Sequence, residues 1–218
     1  MITVATFTAL INQLLPEPHA GLLAGILFGT KATLSRELVT ALTTTGTLHI
    51  VALSGMNITI LAGLVNMTLL RFINRRVASV VTIALIVGFI LFVGPSPSII
   101  RAGIMGGISL LAIVFGRQTW GLLSWILAVS IMLLLNPSWI TDLSFQLSAL
   151  ATLGMILFGG KTIEKQNAIW CIVEDNLRLT LAAQVFTIPL IFLHFHRMSL
   201  ISPVTNVLIG WILQPLTV

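Results

Sequence analysis

The stretch that decides the fold is residues 49–70, which read HIVALSGMNITILAGLVNMTLL. It contains no acidic residue, lysine or arginine, and about 20 apolar residues are enough to cross the ~30 Å hydrocarbon core of a bilayer. Gly55, Thr59 and Gly63 recur every four residues, so one helix face lacks bulk and another helix can approach it. Polar groups at that depth need partners or water. These polar residues are His49, Ser54, Asn57, Thr59 and Asn66.

The composition of the whole chain is that of an integral membrane protein. Of its 218 residues, 57% are hydrophobic and 8% are charged, and the mean hydropathy is +1.08. These values are far from the averages of soluble domains. We expect one membrane domain over residues 1–218, with an amphipathic lead-in over 1–48 and a helical bundle over 49–218. The single cysteine, Cys171, has no partner for an internal disulfide.

Apolar runs predict an all-α, polytopic bundle of about seven transmembrane helices. Residues 4–15 are predicted to form a short amphipathic helix at the membrane interface, which Pro16 and Pro18 end. Residues 20–29 are too few to span the bilayer alone, and we expect them to form a short helix. This helix could be re-entrant only if other parts of the protein cover its ends. The first span is 49–70. The other six are placed near 77–93, 99–115, 121–135, 145–158, 177–193 and 201–218.

Basic residues orient these spans. Seven lie in the loops after the first, third and fifth spans, and two lie in the other loops. By the positive-inside rule, segments 71–76, 117–119 and 159–178 face the cytoplasm. We therefore expect a multi-pass protein of the bacterial cytoplasmic (inner) membrane, with His49 near the outer face. The seven are Arg71, Arg75, Arg76, Arg117, Lys161, Lys165 and Arg178, and the two are Arg101 and Arg197.

This orientation places three polar clusters on the outer side, namely residues 49–57, 94–101 and 136–148. The second of them lies in the stretch GPSPSIIRAG. Pro95 and Pro97 are expected to prevent regular helix, with Arg101 in the first turn of the following span. Two interpretations of Arg101 remain open. Its side chain either snorkels to the outer interface or forms a fixed cation beside a water-filled path. In the second case the small residues Gly103, Gly106 and Gly107 bring the helix into the bundle centre.

The third cluster is NPSWITDLSFQLS at 136–148, in which a loop leads into a helix beginning near Ser144. Asp142 is placed to cap that helix, since a carboxylate there accepts backbone N–H bonds. Gln146 needs partners in the bundle or water in a cavity. Ser144, Ser148 and Thr152 share one face. We expect one polar cavity in the outer half of the bundle, formed by His49, Ser54, Asn57, Arg101 and Gln146.

The stretches HIVALSGMNI (49–58), GPSPSIIRAG (94–103) and NPSWITDLSFQLSALATLG (136–154) together resemble the signature stretches of the competence membrane domain of the ComEC family. Residues 14–35 and 182–206 add further matches, so the resemblance covers nearly the entire chain. Many family members carry an extracellular OB-like domain before this region and a metallo-β-lactamase-like domain after it, and this chain has neither. Asn57 stands where the family favours histidine, and it keeps hydrogen bonding but loses titration.

The resemblance implies an inner-membrane channel that passes single-stranded DNA into the cytoplasm during natural transformation. No nucleotide-binding loop, H-E-x-x-H motif or catalytic set is present in the sequence. We therefore expect no enzyme activity, no cofactor and no metal site. The residues expected along the DNA path are His49, Ser54, Asn57, Pro95, Arg101, Asp142, Gln146 and Ser148.

The resemblance implies a set of partners, and the lack of a nucleotide-binding loop also calls for a receptor and a motor outside this chain. Besides single-stranded DNA and the lipid bilayer, they are an outside DNA receptor and a cytoplasmic ATP-dependent motor or single-strand-binding protein. A separate metallo-β-lactamase-like nuclease and self-association into a homo-oligomer complete the list. Two alternatives stay open on the residues alone. One is a transporter or permease for a small solute, and the other is a non-conducting membrane scaffold or fragment.

Overall fold

A computed structural model describes residues 3–29, 34–45, 47, 55–160, 168–195 and 205. Within these ranges the chain is helical and contains no strand, so the predicted all-α class is confirmed. A short 3-10 helix, Pro137–Thr141, precedes α8. The α-helices are α1 (Val4–Leu14), α2 (His19–Phe28), α3 (Arg36–Thr44), α4 (Gly55–Leu69), α5 (Arg75–Val93), α6 (Pro97–Val114), α7 (Gly121–Leu135), α8 (Leu143–Phe158) and α9 (Ala168–Phe195).

The protein is a membrane helical bundle. Three helical segments are long and apolar enough to cross a bilayer, namely α5, α6 and Leu177–His194 of α9. The helices α7 and α8 are apolar but shorter, with 15 and 16 residues. The predicted first span is described only from Gly55 onward, and the predicted seventh span, 201–218, lies outside the described residues. The count of seven spans therefore stays a prediction.

The sequence-based expectation for the start of α6 was wrong. The helix begins at Pro97, which occupies its first turn, rather than near residue 99 after two helix-breaking prolines. Proline is favourable at this position because its N–H group would have no helical acceptor and its φ angle already suits a helix. Only Pro95 lies in the non-helical linker. Arg101, the fifth residue of α6, consequently lies in the second turn instead of the first.

The centre of the bundle is α6, which packs against α4, α5, α7 and α8. The apolar core around α6 consists of Ile58, Ile86, Ile99, Ala102 and Leu110. A Cβ built on Gly103 would lie 2.6 Å from Ile90 Cδ1, so this glycine permits the close approach of α5. No described atom lies within 4 Å of such a Cβ at Gly106 or Gly107. Of the three glycines on the predicted small-residue face of α6, only Gly103 packs closely against another helix in the described part of the chain.

The two helices α8 and α9 approach more closely than any side chain between them would allow. A Cβ on Gly154 would collide with the backbone carbonyl oxygen of Ala182. On the opposite side of α8, Trp125 of α7 donates a hydrogen bond from Nε1 to the carbonyl of Ala149, at 2.9 Å. These contacts link α7, α8 and α9 in series beside α6.

The amphipathic lead-in has the helix that the sequence predicted, since α1 ends at Leu14, just before Pro16. Phe7 packs its ring against Phe28 of α2 and Phe92 of α5, with ring centroids 6.0 and 6.1 Å apart. Phe92 is near the end of α5 that leads into Pro95 and α6. These contacts place α1 and α2 beside the end of the bundle that carries Arg101. No residue of α1 is buried.

Candidate functional site

Arg101 is a buried cation on the central helix. Only 9% of its surface is exposed, and its neighbours Ala102 and Gly103 are also buried. The side chain therefore points into the bundle rather than out to an interface. Of the two interpretations left open by the sequence, the described structure favours a fixed cation.

The guanidinium of Arg101 lies against the start of α4. A Cβ built on Gly55 would stand 3.2 Å from Arg101 Nη2 and 3.0 Å from Ala102 Cβ. Both distances are tighter than ordinary van der Waals contacts, so α4 and α6 approach this closely because residue 55 has no side chain. This contact brings the first and second polar clusters together.

The helices that pack around Arg101 carry no carboxylate within their helical residues, and Asp142 lies at the N-cap of α8. The sequences of α4, α5, α7 and α8 contain no aspartate or glutamate. The Nε atom of Arg101 is buried and has no hydrogen-bond partner among the described residues. Burying a donor of a charged group without a partner is costly, and a phosphate or carboxylate would satisfy it with a charge-assisted bond. The arrangement thus suits an anion.

Asp142 is the helix cap that its position predicted. Its Oδ1 accepts a hydrogen bond from the backbone N–H of Phe145 at 2.9 Å, and it occupies the N-cap position of α8. The helix begins at Leu143, one residue before the predicted start. A carboxylate at this end also suits the positive end of the helix dipole. Its further role in a DNA path stays a prediction.

Gln146 uses one end of its amide locally and leaves the other end buried. Its Nε2 donates to the carbonyl oxygen of Ile140 in the 3-10 helix, at 2.7 Å. Its Oε1 is buried and has no partner among the described residues. Because α8 packs against α6, Gln146 and Arg101 lie on neighbouring helices near their N-terminal ends. The hydrogen bond to Ile140 holds the Gln146 amide in one orientation.

The remaining predicted site residues are placed as follows. Pro95 is exposed in the linker before α6. Ser148 is half-buried, and its carbonyl accepts a hydrogen bond from Thr152 Oγ1 at 2.9 Å. Asn57 belongs to α4, but its side chain lies outside the described residues, as do His49 and Ser54. The meeting of all these groups around one polar cavity therefore stays a prediction.

The structure shows features at two positions that the sequence alone did not predict. Gly55 was expected to serve helix packing, and the structure adds its contact with the guanidinium. Ser79 is fully buried on α5, and its hydroxyl oxygen has no partner among the described residues. The signal for Gly55 was present in the motif, where it follows Ser54 and comes two residues before Asn57. No periodic signal distinguished Ser79.

The cavity between α4 and α5 is separate from these groups. It encloses about 370 Å³ and includes Leu61, Thr82 and Phe89 in its largely apolar lining, together with seven other residues. None of the predicted site residues lines it. No group of three metal-ligating side chains occurs in the part of the chain that the structure describes. The chemistry of the site therefore rests on the Arg101 cation and its neighbours.

Comparison with known proteins identifies the family. The family described as "Competence protein" matches residues 26–218. The chain is 28% identical over 202 residues to the ComE operon protein 3 of Bacillus subtilis (strain 168), covering 90% of this chain and 25% of that relative. It thus spans about a quarter of the length of this curated relative. No solved structure matches it. Because the family match covers most of its length, the chain belongs to the competence protein family.

Proposed function

We propose that this domain forms the path by which single-stranded DNA crosses the bacterial cytoplasmic membrane during competence. The observation that carries the proposal is the buried Arg101 guanidinium, which lies against Gly55 and has no carboxylate on the surrounding helices. Family membership supplies the competence context. In this proposal, Arg101 meets the phosphate groups of the strand.

A single cation suits conduction better than a strongly basic lining. Each phosphate loses hydration on entering the bundle, and a nearby arginine offsets this loss through charge-assisted hydrogen bonds. Many cations in series would hold the strand too tightly, whereas transport requires binding weak enough for release. One guanidinium held by packing can contact successive phosphates without trapping them.

Transport in this direction needs a source of energy outside the domain. Moving one phosphate charge inward against an inside-negative potential of 100 mV costs about 2.3 kcal/mol. The chain has no nucleotide-binding loop to supply this energy. The proposal therefore includes an outside DNA receptor and a cytoplasmic motor or single-strand-binding protein. A separate nuclease of the metallo-β-lactamase type would provide the single strand.

A permease for a small anionic solute is the second candidate. One buried cation beside a fixed amide also suits a single carboxylate or phosphate group. The two candidates differ in their dependence on the length of the transported molecule. A DNA path accepts a polymer, whereas a closed solute site accepts only a small anion.

The test replaces Arg101 in the chromosomal gene and measures how much labelled DNA reaches a protected, cytoplasmic form. We expect Arg101→Leu to abolish import at unchanged membrane abundance and Arg101→Lys to retain part of it, because lysine keeps the charge but loses the planar fork. Arg36→Leu is the matched control, since Arg36 is exposed on α3. Normal import by Arg101→Leu at equal abundance would refute the proposal. Normal DNA import with lost uptake of a small anion would favour the permease.

A further inference from the structure

The end of the bundle opposite Arg101 carries a second feature, formed by two loops. Residues 70–74 connect α4 to α5, and residues 115–120 connect α6 to α7. Short connections make these consecutive helices alternate in direction, and α4, α5 and α7 all pack against α6. Both loops therefore lie at the same end of the bundle.

The two loops expose aromatic rings and arginines together. Phe72, Phe115 and Trp120 are 81%, 75% and 75% exposed. Arg71 and Arg117 are exposed in the same loops, and Arg75 and Arg76 are exposed in the first turn of α5. No aspartate or glutamate occurs between residues 38 and 141. We call residues 70–76 and 115–120 the aromatic–arginine patch.

Two of the four arginines occupy positions that are unfavourable within the protein itself. Arg75 and Arg76 begin α5, and the positive end of a helix dipole repels cations in its first turn. The N-terminus of α7 begins at Gly121, next to the same patch. The dipole ends of α4 and α6 offset those of α5 and α7 at this end of the bundle, so the four arginines and the lack of any acidic residue between 38 and 141 give the patch its positive charge. An anionic surface would compensate this charge.

We propose that the aromatic–arginine patch binds anionic phospholipids of the leaflet at this end of the bundle. Aromatic side chains at the ends of apolar helices are typical of the headgroup level, and arginine forms paired hydrogen bonds with phosphate. Juxtamembrane arginines are attracted by the negative surface potential of anionic lipids. The proposal concerns lipid preference and does not depend on DNA transport.

The surroundings of the patch favour lipid over single-stranded DNA. Beside the arginines on α5, the exposed side chains Val77 and Val80 continue the patch into apolar surface. The exposed side chains Leu122 and Leu123 do the same after Trp120. A lipid offers an anionic headgroup beside an acyl chain, which matches this sequence of charged, aromatic and apolar surfaces. A DNA strand offers no counterpart to the exposed aliphatic residues.

The test measures thermal unfolding of the purified protein in detergent with added phosphatidylglycerol, phosphatidylcholine or a single-stranded oligonucleotide. We expect phosphatidylglycerol to raise the unfolding midpoint and phosphatidylcholine to have little effect, because only the first is anionic. The triple variant Arg71→Gln/Arg75→Gln/Arg76→Gln should lose more than half of this increase. The corresponding triple lysine variant should retain most of it. Arg36→Gln, at an exposed site on α3, is the matched control.

Native mass spectrometry supplies an independent measurement, the number of phosphatidylglycerol molecules retained by each variant. The single variant Arg117→Gln serves if the triple glutamine variant does not fold, and it should retain fewer lipids than the native protein. Equal phosphatidylglycerol retention and equal stabilisation in native and glutamine variants would overturn the proposal. An arginine-dependent increase with the oligonucleotide but not with phosphatidylglycerol would assign the patch to nucleic acid instead.

Discussion

Gly55 and Arg101 are in contact across the first two polar clusters, with Nη2 of Arg101 standing 3.2 Å from where a Cβ on residue 55 would lie. The contact joins the start of α4 to the second turn of α6. Ala102 closes the same space from the other side, at 3.0 Å. The position of the guanidinium therefore depends on residue 55 being glycine.

Substitution of Gly55 should displace Arg101. We expect Gly55→Ala to lower DNA import several-fold and Gly55→Val to lower it further, because overpacking at a tight site forces neighbours to move, at about 1–3 kcal/mol. DNA import and membrane abundance are measured together. The control is Gly63→Ala on the same helix, where no described atom lies within 4 Å of the new Cβ. Equal import by the Gly55 and Gly63 variants would show that this contact does not determine the position of the Arg101 side chain.

Substitutions of Asp142 should distinguish its contribution as a helix cap from any contribution of its negative charge. Asp142→Ala removes the acceptor for Phe145 N–H and should destabilise the protein by about 0.5–2 kcal/mol. Asp142→Asn should restore most of this stability, because asparagine caps helices about as well. The thermal unfolding midpoint of each variant checks this order. If Asp142→Asn is stable but fails to import DNA, the carboxylate charge acts in the path in addition to the cap.

The membrane orientation can be tested with single cysteines in a Cys171→Ser background. We expect a cysteine at Ser96 to react with an impermeant thiol reagent in intact cells and one at Arg75 to be protected, since the positive-inside rule predicts that the basic loops face the cytoplasm. Ser96 lies in the linker before α6, and Arg75 begins α5 at the other end of the bundle. Both cysteines should react after the membrane is permeabilised. Reaction at 75 without reaction at 96 in intact cells would reverse the orientation.

Gly154 should tolerate no side chain. A methyl group there would meet the Ala182 carbonyl oxygen, and backbone atoms cannot move aside as a flexible side chain can. We expect Gly154→Ala to destabilise the bundle by about 1–3 kcal/mol, the usual range for overpacking. Gly107→Ala on α6 is the control, because its new Cβ meets no described atom within 4 Å. The thermal unfolding midpoints of both variants check the difference, and equal midpoints would contradict the backbone contact.

Sequence patterns predicted the local features of the fold well. The apolar run 121–135 coincides with α7, and Asp142 caps α8 as its chemistry required. The start of α6 was missed because proline stops a helix in its interior but favours its first turn, and the sequence did not distinguish these cases at Pro97.

Contacts between helices were harder to predict because spacing identifies a face but not its neighbour. Gly55 and Thr59 share the spacing of one face, yet Gly55 contacts α6 while Thr59 is exposed. Gly103 packs against Ile90, whereas a Cβ built on Gly106 or Gly107 would meet no described atom of another helix within 4 Å. The crossing point of two helices selects one small residue from several. That selection depends on three-dimensional packing, which a periodic pattern does not contain.

The close approach at Gly154 and Ala182 has a mechanical consequence. Where backbone meets backbone, no rotamer change can absorb a displacement, so we expect α8 and α9 to move together. The contact of α5 with α6 is different, since Gly103 faces the terminal Cδ1 of Ile90, which can rotate. If the bundle widens during the proposed transport, we expect the displacement to occur at the contacts of α6, with α8 and α9 as the fixed wall.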